Sequence, residues 1–194
     1  MHAKRPLFEL DDRKATEASC VLLRLASNRM TYLRLVKLMY LADRQSLCER
    51  GMPILGDAYF SMKNGPVMSR LLDLAKGEVQ SPVWSEHVER VDFVLSMRKD
   101  SGPYWLSNAE RDILRATHEK FLKLDDWDLC DWTHDNCKEW TDPRKLGKKR
   151  VPIEADALLR AVGLTKTEIE EIRIEAEARR HMVALLQHAP TGLS

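Results

Sequence analysis

Residues Thr31 to Arg50 read TYLRLVKLMYLADRQSLCER. Leu33, Val36, Met39, Tyr40 and Leu47 recur near one face at helical spacing, which predicts a single helix. Thr31 is its candidate N-cap, because a hydroxyl there accepts from an amide of the first turn that has no partner inside the helix. Gly51 is the candidate C-cap, since glycine takes the left-handed conformation that commonly ends helices. The segment is so apolar that it belongs at the centre of the fold.

Upstream, Ala18, Val21, Leu22 and Leu25 mark a second helix over residues 15–28, preceded by a charged, loose tail through residue 15. Downstream comes GDAYFSMKNGPVMSRLLDL, Gly56 to Leu74. Ala58 to Met62 reads as extended and Asn64-Gly65 as a turn. Pro66 suits a first helical position, where its missing N–H would have had no partner. Val67, Leu71, Leu74 and Ala75 then form a buried helical face that Gly77 ends. VERVDFVLSM alternates Val91, Phe93 and Leu95 as a strand would, and Tyr104 to Leu106 is the expected return strand of a β-hairpin.

Ser107 and Glu110 form a capping box opening a helix through Leu124, with Ile113, Leu114, Thr117 and Phe121 facing inward. A shorter acidic helix follows and ends near Asp135. Pro, Gly and five cations mark 141–152 as a surface loop. A short helix stops at Gly163. A second capping box, Thr167 with Glu170, opens a last helix with a narrow stripe of Ile169, Ile172, Ala176, Val183 and Leu186. The chain is therefore expected to be mainly α with a small β-hairpin, an α+β fold. Its predicted organisation is a tail (1–15), a helical domain (16–150) and a helical extension (151–194) packed on or beside it.

Composition narrows the function. The chain has 194 residues, 44% of them apolar, with 31 Lys+Arg against 30 Asp+Glu. That suffices for one real core, and it lacks the basic excess that nucleic-acid binding usually needs. The longest apolar run, Leu38 to Ala42, is far short of a membrane span, and the N-terminal residues carry no signal-like apolar region. Four scattered cysteines suit a reducing compartment, so a cytoplasmic location with free thiols is expected.

Cys130, His134 and Cys137 could share one side of a helix, with His118 as a fourth zinc ligand. The repeated pair of close ligands that structural zinc sites use is absent, and cysteine is a common buried residue, so no metal or cofactor is expected. No nucleophile elbow, P-loop or dinucleotide fingerprint occurs, and nothing in the sequence joins Asp43 to Asp57 as a carboxylate pair. No enzyme is expected. The basic run Arg144, Lys145, Lys148, Lys149 and Arg150 adjoins Asp125, Asp126, Asp128, Asp131 and Asp135, which favours a compensated surface over a nucleic-acid site. Trp127, Trp132 and Trp140 fit a core or a protein-binding hot spot.

Four blocks in fixed order resemble one family: LVKLMYLADRQSL (Leu35 to Leu47), the Gly56 to Leu74 stretch, LSNAERDILRATHEKF (Leu106 to Phe121) and LCDWTHDNCKEW (Leu129 to Trp140). The chain resembles the Panacea domain of SocA-like antitoxins. Gly56, Tyr59, Gly65, Pro66, His134 and Trp140 carry the motif, although the tryptophan follows His134 by six residues rather than across the shorter, proline-containing gap usual in the family. The resemblance implies a mostly helical domain that neutralises a cognate toxin by direct binding. It also implies an alternative, an adaptor that presents a bound protein to a cellular protease; a DNA-binding autoregulator is a second alternative, of a different class. Candidate partner-binding residues are Asp57, Lys63, Asn64 and Arg70 on the rim of the second block, Trp132, and the stripe Ile169, Ile172, Val183 and Leu186. The last helix either packs on its own domain or meets a partner, and a homo-oligomer is one form that partner could take.

Overall fold

The computed structural model describes residues 7–187, apart from the side chains of residues 183, 184, 186 and 187. The helix centred on Thr31 to Arg50 is α2 (Tyr32–Arg50), capped by Thr31, whose hydroxyl accepts from Arg34 N, and by Gly51 in the left-handed region. It runs through the middle of the molecule, with Leu35, Leu38, Met39, Tyr40 and Leu47 fully buried. Helix α1 (Asp12–Leu25) packs on α2 and on α5 (Asn108–Lys120). The expected loose tail gives way at Phe8, which is buried, and α1 starts three residues early because the Asp11 carboxylate caps Arg13 N.

Two small antiparallel sheets flank this core. In the first, β1 (Arg29–Thr31), β5 (Val94–Met97) and β4 (Val88–Val91) lie in the order β1-β5-β4. The single strand expected over VERVDFVLSM is itself the hairpin. It turns at Asp92, which holds φ 54°, and leaves Val91 and Phe93 exposed. Tyr104 to Leu106 is not the return strand. Its amides point at the buried Glu17 carboxylate, which accepts from Tyr104 N, Trp105 N and Leu106 N, so this backbone is satisfied without a ladder.

In the second sheet β2 (Tyr59–Met62) is central, with β3 (Gly65–Met68) on one side and β6 (Arg150–Ile153) on the other. Pro66 is therefore in an edge strand opposite Ser61, not at a helix start. An edge position tolerates proline because the outward side of the ladder needs no amide. Helix α3 (Ser69–Lys76) begins only afterwards. The expected loop at 141–152 contains a 3₁₀ turn (Pro143–Leu146) and the start of β6.

The remaining elements are α4 (Pro82–His87), α6 (Asp126–Asn136), α7 (Ala155–Ala161) and α8 (Lys166–Gln187). The box at α5 forms as expected between Ser107 and Glu110. The box at α8 is Thr165 with Glu168 rather than Thr167 with Glu170: Glu168 N donates to Thr165 Oγ1, and Thr165 N donates to the Glu168 carboxylate. Leu158, Leu159, Ile169, Ile172 and Ala176 join the same hydrophobic core as α1, α2 and α5, so the segment after residue 150 packs on the rest of the chain. The whole is an α+β fold, mainly helical. Among the described residues no helix is long and apolar enough to cross a membrane.

Gly65 has φ +100°, and a Cβ there would run into Thr133 Oγ1 and come within 2.6 Å of Lys37 Nζ. Gly77 is also left-handed but has nothing within 4 Å. Gly77→Ala should therefore cost about 1 kcal/mol from conformation alone, whereas Gly65→Ala adds a clash and should cost about 2–4 kcal/mol. Urea denaturation of the two variants checks the difference.

Candidate partner-binding surface

One side of α2 presents polar groups to the interior. Lys37 is fully buried, and its Nζ donates to Pro66 O at 2.7 Å. Burial pulls its pKa down to about 8. One turn on, Tyr40 donates to Glu139 Oε1 at 2.6 Å, and Arg44 Nε reaches the same oxygen at 2.9 Å. Asp43 is fully buried and accepts from Leu55 N, Gly56 N and the Tyr59 hydroxyl. Burial raises its pKa, and those three donors oppose the rise.

Four of the six motif residues meet these two buried charges. Gly56 and Tyr59 serve Asp43. Gly65 and Pro66 lie against Lys37. His134 stacks on Trp140 at 4.1 Å between ring centroids, and Trp140 Nε1 donates to Met62 O at 3.0 Å, tying the end of α6 to β2. Burial, then the nearby Lys37 charge, lowers the His134 pKa. Burial also pushes the Cys137 thiol up to about 12 and raises Cys130, which keeps both protonated at neutral pH. Reactive or metal-binding cysteines are instead thiolates. Among the described residues, no three or more His, Cys, Asp or Glu side chains are grouped to hold a metal ion.

Asp57 is not on a rim. It is buried, and its carboxylate accepts from Ala58 N and Leu71 N, the latter at the start of α3. Lys63 and Arg70 are exposed and Asn64 half-buried, but Arg70 is held by Asp12 at 2.8 Å. Ile169 and Ile172 are buried on the chain's own core, Ile172 beside Gly51, so neither offers a free surface. The Val183 and Leu186 side chains lie outside the described residues. In the basic run, Arg144 pairs with Asp142 and Arg150 sits over the Phe60 ring, leaving Lys145, Lys148 and Lys149 exposed.

A neighbouring side of α2, which shares Arg44, borders a groove of about 700 Å³ between α2, α5 and α6. Its floor is Leu41, Ile113, Ala116, Phe121 and Trp132, and its walls include Gln45, Glu49, Asp112 and Lys120. Phe121 and Trp132 meet edge to face at 4.7 Å, with the Lys120 ammonium 5.4 and 5.5 Å from their rings. Of the residues expected at an interface, Trp132 alone lines this groove. Leu41, Gln45 and Ala116 carry no local sign of the groove in the sequence, because the placement of α2 against α5 and α6 decides which side chains face it.

A family model described as antitoxin SocA-like, Panacea domain, matches residues 35–141. The chain belongs to this family. No curated protein and no solved structure matches it. The Panacea segment runs from α2 through α6 to Trp140, and it contains every residue that lines the groove as well as both buried charges. Six motif residues of this Panacea domain thus work inside the fold, while the concave face beside them is open.

Burial lifts the Asp57 pKa from 3.8 to about 6. Between those values the folded state holds a proton that the unfolded chain has released, so this group's contribution to stability falls as pH rises from about 4 to 6. Asp57→Asn removes the titration. Denaturation at pH 4 and pH 7 should show the variant gaining roughly 2–3 kcal/mol relative to the parent at the higher pH. A difference that stays flat would mean the carboxylate is not desolvated.

Proposed function

We propose that this protein is an antitoxin that neutralises a cognate toxin by direct binding, and that the α2–α5–α6 groove receives the toxin. The observation that carries the reading is the coincidence of this groove of about 700 Å³ with the family-matched segment: all thirteen lining residues fall between Leu41 and Trp132. The floor has the character of a protein-binding centre, with a partly buried tryptophan, a phenylalanine and aliphatic side chains inside a polar margin. Two helices forming the walls suit a helix or extended segment of the toxin laid along them.

A binding role rather than catalysis fits the rest of the site. Three buried charged groups are committed to internal partners: Asp43 to Leu55, Gly56 and Tyr59, Lys37 to Pro66, and Glu139 Oε1 to Tyr40 and Arg44. Of these groups only Arg44 also lines the groove, and a guanidinium is neither a nucleophile nor a base at neutral pH.

Ala116 is exposed, so Ala116→Arg fills the groove without opening the core. Co-expressed with the cognate toxin, this variant should lose rescue by at least about tenfold in surviving cells, the scale of one broken hot spot. Its circular dichroism should match the parent. Lys63→Glu, outside the groove, should rescue normally. Full rescue by Ala116→Arg would remove the groove from the interface, and loss with Lys63→Glu alone would move the contact to the β2–β3 turn.

A further inference from the structure

Helix α8 has two apolar stripes. Ile169, Ile172 and Ala176 form the buried one, and Arg173 and Arg180 fasten that side through Asp156 and Leu7 O. On the opposite side Ile174, Ala178, Met182 and Leu185 recur at spacings of four, four and three. Ile174, Met182 and Leu185 are 60%, 63% and 74% exposed. A helix that has already docked on its core has no need of a second apolar face. Large apolar side chains left together on a surface mark a contact with another chain.

The charges along α8 say which chain. Of the charges outside the buried side, residues 166–177 carry five glutamates against Lys166, whereas 178–187 carry Arg179, paired with Glu175 of its own helix, and His181, with no acid. A second α8 laid antiparallel sets the acidic half of each helix beside the basic half of the other; a parallel arrangement sets like against like. Two-fold symmetry requires a self-complementary patch, and this one is. With the axis near residue 180, Ile174 lies across from Leu185 of the other copy, Ala178 across from Met182, and Glu177 beside His181, each contact made twice.

We infer that the exposed stripe of α8 pairs with the same stripe of a second copy, antiparallel, to form a homodimer. The surface lies outside the family-matched segment and does not overlap the groove residues, so dimerisation leaves both grooves free. Four side chains per copy make a small interface, and the expected dissociation constant is roughly 10–100 μM.

Sedimentation equilibrium of the full chain over about 5–500 μM tests this, a range that brackets the expected constant. The parent's mass should rise from 22.4 kDa towards twice that value. I174E/L185E, both on the exposed stripe, should stay monomeric with unchanged circular dichroism. E177K and H181E should each weaken dimerisation several-fold, and E177K/H181E together should restore it, which only an antiparallel register allows. A parent that is monomeric throughout, a dimer indifferent to I174E/L185E, or a charge swap that fails to restore pairing would overturn the inference. A monomeric parent whose I174E/L185E variant also loses toxin rescue would assign the stripe to the toxin instead.

Discussion

A buried ammonium fixes much of this molecule. Lys37 lies in the middle of the central helix with no exposed surface, and a charge removed from water costs several kcal/mol unless the chain supplies acceptors. The acceptor here is Pro66 O, on a strand that must lie close against α2. That proximity leaves no room for a side chain at Gly65, and Thr133 of α6 presses on the same point. One nitrogen thereby holds β3 against α2, and α6 packs on the same glycine. Asp43, two turns along, does the same for the Ile54–Gly56 turn and Tyr59.

The division of labour on α2 follows. Its polar side meets four of the motif residues, while a neighbouring side, which shares Arg44, forms a wall of the groove. Residues that make the family recognisable are thus largely those that cannot touch a partner. Arg44 and Arg50 line the groove and also pair with the buried Glu139 and Glu110, so it is the groove's other side chains that can change over a frame of this kind.

Much of the architecture was legible from local chemistry. Thr31 and Gly51 bounded α2, Ser107 and Glu110 opened α5, and Gly77 closed α3, all because caps act within a few residues. The misreadings share a cause in long-range partners. Period-two alternation over Val91, Phe93 and Leu95 concealed a turn at Asp92, and Tyr104 to Leu106 looked like a strand until Glu17, some ninety residues upstream, took its amides. Pro66 looked like a helix start because its strand partner and its Lys37 contact are invisible in its own neighbourhood. For the site, Trp132 was legible as an aromatic on a polar helix. Asp57 was misplaced because a carboxylate beside glycine gives no sign that it will cap α3 from within. Lys37 stood in plain view inside LVKLMYLA, the one charge in an otherwise apolar run.

The second sheet spans a boundary that sequence comparison draws elsewhere. The matched segment ends at 141, yet β2, its middle strand, takes its second neighbour from Arg150–Ile153. Helix α1, which packs on α2 and α5, lies before residue 35. A gene fragment cut at the family limits would carry the groove and both buried charges but leave β2 with an open edge, a template for pairing with other chains. Anyone moving this domain into a fusion protein has to take the flanks with it. The same dependence orders events during synthesis: the β2–β3 hairpin leaves the ribosome long before the strand that closes it, and must wait with that edge exposed.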